Sequence, residues 1–128
     1  MYDVRDGCPS AQEYRRLRAS VGWSQPPMPA CRTALASTIA AVIGNYRTET
    51  VAMARLVGDA TLYLLLVDVV VAPEHQGTGL GRRMVWRLHD WASQNGTRNT
   101  LLVAGDDLVP FYRNLGFHTE PNTRMMRG

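Results

Sequence analysis

Apolar residues recur along this chain with two spacings, that of a strand and that of a helix. Together they predict a domain of mixed strands and helices. Alternating or continuous apolar runs predict strands at residues 2–5, 39–43, 50–57, 62–71 and 101–104. The 62–71 run, LYLLLVDVVV, is almost entirely aliphatic, which is typical of a strand covered on both faces, so we expect it in the middle of the sheet. A last hairpin is predicted from residues 117–120 with Met125 and Met126.

Apolar residues at helical spacing predict four helices. The first begins after Ser10, because Ser10 and Glu13 have the spacing of a capping box, and it ends at Gly22. Further helices are predicted at residues 31–37, 79–94 and 109–115. Loops or turns are predicted at residues 23–29, 44–48 and 58–59. This order predicts one α/β or α+β domain over residues 1–128, with helices packed on a mixed sheet.

The composition narrows the function classes that need to be considered. The net charge is +3, and all 14 basic residues are arginines spread along the chain. Charge alone therefore does not imply a nucleic-acid partner. Cys8 and Cys31 have neither the spacing of a metal site nor that of a redox motif, and we expect reduced thiols and no bound metal. The first residues contain no apolar signal segment, and no apolar run is long enough to cross a bilayer. A cytoplasmic protein without a membrane partner is therefore expected.

The segment VVVAPEHQGTGLGRRM contains the most informative chemistry, because a buried strand leads through glycines into the amphipathic helix. Glycine at positions 77, 79 and 81 lets backbone N–H groups approach a phosphate, and the unpaired amides of the helix add partial positive charge. Thr78 has a hydroxyl to donate, and Arg82 and Arg83 place cations beside the same point. The segment therefore predicts a pyrophosphate site.

Two common phosphate-binding loops do not fit this segment. A Walker A loop requires a lysine, and the chain has none; a dinucleotide fingerprint starting at Gly77 would require glycine where Arg82 stands. What fits is [QR]-x-x-G-x-[GA], as Gln76, Gly79 and Gly81. Together with FYRNLGF at residues 111–117 and EYRRLRASVGW at residues 13–23, this motif resembles the GNAT superfamily of N-acetyltransferases.

The resemblance implies the family's mostly antiparallel central sheet flanked by helices, with acetyl-coenzyme A as co-substrate and no metal. It implies an acetyl group moved to a primary amine by direct attack in a ternary complex. A backbone N–H near Val69 would stabilise the oxyanion of the thioester carbonyl, and Tyr112 would protonate the departing thiolate. The residues that it implies for binding the donor are Val69, Val70, Val71, Gln76, Gly77, Thr78, Gly79, Leu80, Gly81 and Arg82.

The base that deprotonates the amine has more than one candidate. Asp68 is a carboxylate in an apolar strand, where it needs either a partner or a purpose, so it is a catalytic base or the partner of Arg55 in a salt bridge. Glu74 and His75 are further candidates, but both are expected at the surface, and a water relay without a single essential base also stays open.

The sequence does not identify the acceptor of the acetyl group. The resemblance places it opposite the donor, against the first helix and the proline-rich loop, where Trp23 and Arg18 are candidate lining residues. A small molecule or a protein would serve as the amine-bearing partner. Since dimers are common in the family, a homodimer is one expected assembly.

Two other functions compete with acetyl transfer. A module of the same fold could bind acetyl-coenzyme A as a sensor without transferring the acetyl group, although the presence of Tyr112 argues mildly against it. A small basic nucleic-acid binder would account for the arginines, but the chain lacks a recognisable nucleic-acid motif and a stripe of stacking aromatic residues.

Overall fold

The computed structural model describes residues 1–128 as five strands and four α-helices. The strands are β1 (Tyr2–Asp6), β2 (Ala40–Tyr46), β3 (Glu49–Gly58), β4 (Tyr63–Val71) and β5 (Asn99–Leu102). The helices are α1 (Ala11–Ser20), α2 (Met28–Ala36), α3 (Leu80–Gln94) and α4 (Val109–Arg113). Every element predicted from the sequence is present except the last hairpin, which was wrong, since residues 117–128 form no strand.

The five strands form one mixed sheet in the order β1-β2-β3-β4-β5. Neighbouring strands are antiparallel except for β4 and β5, which are parallel because α3 makes the crossover between them. This mixed α/β architecture agrees with the predicted fold class. The central strand is β3 rather than β4: residues 50–56 are buried without interruption, whereas Tyr63 and Leu65 of β4 are exposed.

The helices cover both faces of the sheet. Ala52 of β3 lies against the Leu80 side of α3, whereas Arg55 reaches the end of α2 through the carbonyl of Ala34. Because successive side chains of a strand point to opposite faces, α3 and the α1–α2 pair lie on opposite sides of β3. None of the helices combines the length and the apolar character needed to cross a membrane.

The predicted start of α1 is confirmed by its hydrogen bonds. The Ser10 hydroxyl accepts from the Glu13 backbone N–H at 3.1 Å, and the Ser10 N–H donates to the Glu13 carboxylate at 2.8 Å. The latter bond lowers the pKa of Glu13, since it stabilises the charged carboxylate. Helix α2 begins three residues earlier than predicted, because Pro27 occupies the N-cap and Pro29 lies in the first turn, where proline is tolerated.

The turn predicted at residues 44–48 was wrong, because β2 continues to Tyr46 and only Arg47 and Thr48 form the turn. Gly44 lies inside the strand, next to an irregularity in the pairing of β2 with β3. A Cβ at Gly44 would stand 2.9 Å from the Leu80 side chain and 3.1 Å from Ala52 Cβ. Glycine is therefore required for close packing of the first turn of α3 against the sheet.

Replacement of Gly44 by alanine should destabilise the fold by about 1–3 kcal/mol, because Leu80 is buried and has little room to move. Urea unfolding measures the change. The matched control is Gly105→Ala, where φ is −67° and the added methyl meets only the carboxylate of exposed Asp107. Equal and small changes in the two variants would contradict the packing role of Gly44.

Candidate active site

The loop between β4 and α3 exposes an unusual run of backbone N–H groups. After a 3₁₀ turn at Pro73–His75, the N–H groups of residues 77–82 donate to no acceptor in the protein, and the first bond of the helix runs from Arg83 N to Gly79 O at 3.1 Å. Gly79 is the N-cap and has no side chain to satisfy these donors. Six consecutive amides are thus available to an anion.

The two glycines of this loop are required by backbone conformation rather than by crowding. Gly77 and Gly79 have φ of +75° and +86°, in the left-handed region that favours glycine. A Cβ built on either residue meets no atom within 4 Å. The space in front of the loop is therefore open, as a bound pyrophosphate requires.

The charges at the start of α3 also fit an anion. No acidic side chain lies in the first turn, and Arg82 is exposed and makes neither a hydrogen bond nor an ion pair. Arg83 instead donates to the Tyr2 carbonyl at 3.2 Å, which ties α3 to β1. A cation near a helix N-terminus opposes the helix dipole, so the free Arg82 gains its favourable interaction when an anion binds there.

Two side chains of the loop hydrogen-bond to backbone carbonyls of the loop and of the end of β4, and so stabilise its conformation. The Gln76 amide donates to the Val71 carbonyl at 3.0 Å, and the Thr78 hydroxyl donates to the His75 carbonyl at 2.8 Å. The hydroxyl proton that the sequence suggested for a phosphate is therefore used within the loop, and Thr78 offers its backbone N–H instead. His75 is half-buried and hydrogen-bonds the Tyr2 hydroxyl at 2.8 Å, whereas Glu74 is exposed.

Strand β4 contains a bulge immediately before this loop. Arg55 pairs with Val67 and Met53 with Val70, so one residue of β3 lies opposite both Asp68 and Val69. Asp68 adopts φ +55°, the left-handed conformation typical of such a bulge. Aspartate is one of the few non-glycine residues that adopt this conformation readily.

The edge of β4 that faces β5 is open beyond Leu66. The last pair between the two strands is Leu66 with Leu102, so residues 67–71 have no strand on that side. The Ala72 N–H donates to Val51 of β3, so by alternation Val70 also faces β3. Val69 and Val71 therefore turn backbone groups toward the open edge, which leads to the loop at residues 76–82. An extended ligand arm can pair with such an edge as an added strand would.

The Asp68 carboxylate is held by three groups from two elements. It accepts from Arg55 Nε at 2.9 Å, from Arg18 at 3.1 Å and from the Tyr14 hydroxyl at 2.7 Å. Arg55 also donates to the Ala34 carbonyl. The Asp68 and Arg55 side chains are only 9% and 8% exposed. This geometry fits the salt-bridge alternative, because both carboxylate oxygens are already bonded to these partners.

Tyr14 is a partner of Asp68 that the sequence did not identify, because its spacing marks it only as a core residue. Its pKa is raised by burial and by the hydrogen bond to the Asp68 carboxylate. The Tyr14 hydroxyl therefore keeps its proton at neutral pH and remains a donor. A buried tyrosine hydroxyl needs a partner, but the sequence offers no way to choose it.

The two candidate acceptor-lining residues lie together beside Asp68. The Arg18 guanidinium carbon is 5.4 Å from the centre of the Trp23 ring and 5.7 Å from that of Tyr14. Its Nε donates to the Ser24 carbonyl at 2.7 Å. Arg18 thus joins α1, the proline-rich loop and the β4 bulge.

Tyr112 lies on α4, beyond the end of β5, with its ring edge-on to Phe111 and Phe117. Its side chain is largely buried, which raises its pKa, so the hydroxyl stays protonated at neutral pH. The hydroxyl makes no hydrogen bond within the protein and is not sealed from solvent. It is therefore free to donate to a ligand.

Helix α4, strand β4 and the start of α3 meet at Gly81. A Cβ on Gly81 would lie 3.5 Å from the Val71 side chain and 3.7 Å from the Phe111 ring. Helix α4, which carries Tyr112, is thereby packed next to the loop at residues 76–82 and the open edge of β4. A separate cavity of about 950 Å³ adjoins Tyr112 between β5 and residues 116–125, but it includes no residue of the loop.

Comparison with known proteins places this geometry in context. A model described as the acetyltransferase (GNAT) family matches residues 9–117. Histone acetyltransferase TAP1 of Glycine max is 33% identical over 85% of this chain, which spans 52% of that protein, or about half its length.

Solved structures agree in fold. A protein of unknown function and probable acetyltransferase from Meticillin-resistant Staphylococcus aureus superposes with a TM-score of 0.90 at 23% identity, covering 99% of this chain and 98% of that one. The aminoglycoside N-acetyltransferase AAC(6')-Iy, solved in complex with CoA, superposes with a TM-score of 0.77 at 16% identity, covering 100% and 95%. At these identities the likeness establishes the fold alone.

Replacement of Arg55 by methionine should destabilise the protein by about 3 kcal/mol, because it removes a buried cation from Asp68 and a donor from the Ala34 carbonyl. Urea unfolding measures the loss. The control is Arg98→Met, which removes an exposed arginine whose side chain makes no hydrogen bond or ion pair. If both variants unfold like the parent protein, the buried network does not stabilise the fold.

Proposed function

The chain belongs to the GNAT family of acetyltransferases, and on that premise we propose that it transfers the acetyl group of acetyl-coenzyme A to a primary amine by direct attack in a ternary complex. The observation that carries the proposal is the run of six unpaired N–H groups at residues 77–82, next to the open edge of β4. These two features match the two polar parts of the donor, its pyrophosphate and its amide-containing arm.

Donor binding is assigned to the loop and to the strand that precedes it. The backbone of Gly77, Thr78 and Gly79 with the first turn of α3, which includes Leu80 and Gly81, would hold the pyrophosphate. Arg82 would add a cation, and Gln76 would keep the loop closed on the end of β4. The backbone of residues 69–71 would hydrogen-bond the pantetheine arm.

The donor supplies a thioester whose carbonyl carbon accepts the amine and whose sulfur departs. The Val69 N–H lies in the bulge, where the ladder with β3 is interrupted, and we assign it to the oxyanion that forms during attack. Tyr112 would give its proton to the thiolate, since its hydroxyl is protonated at neutral pH and makes no hydrogen bond within the protein. Both groups belong to elements that pack around Gly81.

We assign the removal of the amine proton to water rather than to a side chain. Asp68 is occupied by Arg55, Arg18 and Tyr14, so its role is to hold the bulge that orients Val69. His75 is bonded to Tyr2, and Glu74 is exposed at the surface. A water relay, which the sequence left open, requires none of these groups.

Replacement of Gly79 by valine should abolish binding of acetyl-coenzyme A, because the side chain would fill the space in front of the unpaired amides. Gly22→Val is the matched control, since Gly22 also has positive φ (+81°) and open space around its Cβ. Thermal unfolding reports binding: saturating donor at a hundredfold over Kd should stabilise the parent and the control by about 3 kcal/mol. Retained binding in Gly79→Val would refute the loop assignment.

Replacement of Tyr112 by phenylalanine should lower kcat by about a hundredfold or more while leaving the affinity for acetyl-coenzyme A nearly unchanged, because only the proton donor is lost. Thiol release over a panel of amines measures turnover. Tyr63→Phe removes an exposed hydroxyl without a partner and should keep full activity. Unaltered turnover in Tyr112→Phe would remove Tyr112 from the mechanism, and donor binding without turnover of any amine would favour the sensor alternative.

A further inference from the structure

The wall formed by α1, the proline-rich loop and α2 is strongly basic. We call residues 11–37 the basic wall. It contains one carboxylate, Glu13, and the four arginines Arg15, Arg16, Arg18 and Arg32, so its net charge is +3 (4 − 1), which equals the net charge of the whole chain. The rest of the protein is neutral on balance, and the positive charge is concentrated on the side where the acceptor is proposed to enter.

Neither the carboxylate of the basic wall nor that of the adjoining β4 bulge is free to receive a cation. Glu13 is bound to the Ser10 backbone N–H in the capping box, which lowers its pKa. Asp68 is the other carboxylate here, and Arg18, Arg55 and Tyr14 saturate it. A second ammonium group of an acceptor bound beside Arg18 would thus find both carboxylates already bonded and would be repelled by the arginines.

Arg18 has both the position and the spare donor to bind an anion. Its side chain is 18% exposed and is fixed by the Ser24 carbonyl, by Asp68 and by the rings of Tyr14 and Trp23. Its second terminal nitrogen, Nη2, carries two hydrogens and makes only a 3.4 Å contact with the Ser24 hydroxyl. A guanidinium held in this way offers a donor to a carboxylate or phosphate at little cost in side-chain entropy.

We propose that the acceptor is an amine that also carries an anionic group, a carboxylate or a phosphate, and that Arg18 binds this group. The inference rests on the acetyl transfer proposed above and names the class of its acceptor. The charge of the wall supports the chemistry as well: neighbouring cations lower the pKa of the acceptor's ammonium group, which favours the neutral nucleophile without a side-chain base. Acceptors with cationic chains are predicted to be poor.

Three amines that differ only at the far end test the proposal: 4-aminobutyrate, 4-aminobutanol and 1,4-diaminobutane. Glucosamine 6-phosphate and glucosamine form a second pair. With saturating acetyl-coenzyme A, kcat/KM from thiol release should be at least about tenfold higher for the anionic member than for the neutral one, and lowest for the diamine. Added salt should reduce the preference, since charges near the surface are screened.

Arg18→Gln should raise KM for the anionic acceptor about tenfold and remove the preference, while KM for acetyl-coenzyme A stays unchanged. Arg18→Lys should restore part of the preference, because it keeps the charge and loses the planar fork. Arg98→Gln, which removes an arginine outside the basic wall, should change neither KM for the anionic acceptor nor the preference for it. Thermal unfolding of each variant separates loss of fold from loss of recognition, and the parent protein's own preference tests the proposal if Arg18→Gln does not fold.

The outcomes distinguish the two proposals. Turnover of the neutral or cationic amines as efficient as that of the anionic ones would overturn the anionic acceptor and leave acetyl transfer intact. An unchanged preference in a folded Arg18→Gln variant would overturn the role of Arg18. Binding of acetyl-coenzyme A without turnover of any amine would overturn acetyl transfer, and the acceptor class would be refuted with it.

Discussion

The buried carboxylate of Asp68 is the point on which the rest of the site depends. Arg55 from the central strand and Arg18 and Tyr14 from α1 all converge on it, so the β4 bulge is tied to the neighbouring strand and to the helix that covers it. An unpaired charge here would be costly, which makes the bulge and its partners a single unit. The bulge in turn interrupts the ladder at Val69, just where pairing with β5 has ended and the edge of β4 is open.

The loop at residues 76–82 depends on a second constraint, which is the close approach of α3 to the sheet. Leu80, the first residue of the helix, is buried against Gly44 of β2, a contact that leaves no room for a Cβ. The N–H groups of the same turn donate to no acceptor in the protein, and the space around Gly77 and Gly79 is open. One turn of helix therefore anchors the loop through its side chain and offers the anion site through its backbone.

Errors in the predicted fold arise where distant parts of the chain decide a local outcome. Gly44 looks like a turn residue in sequence, yet it lies in a strand because Leu80, which is far along the chain, packs on it. The apolar run of β4 correctly indicates an internal strand, but β3 is central because β1 and β2 lie on one side of it and β4 and β5 on the other. Residues 117–126 alternate like a hairpin and form none, which shows that local pattern without a pairing partner does not make a strand.

By itself the sequence determined the family, the mixed set of strands and helices and the glycine loop at residues 76–82, because the loop's conformation depends on neighbours only a few residues apart. Positive φ at its glycines and unpaired amides at a helix start are local properties. The tertiary structure alone decided the surroundings of Asp68, since its partners come from two distant parts of the chain, Tyr14 and Arg18 from α1 and Arg55 from β3. It also decided that Arg18 of the basic wall lies beside the β4 bulge, because α1 meets Asp68, fifty residues further along the chain, only when the helix packs on the sheet.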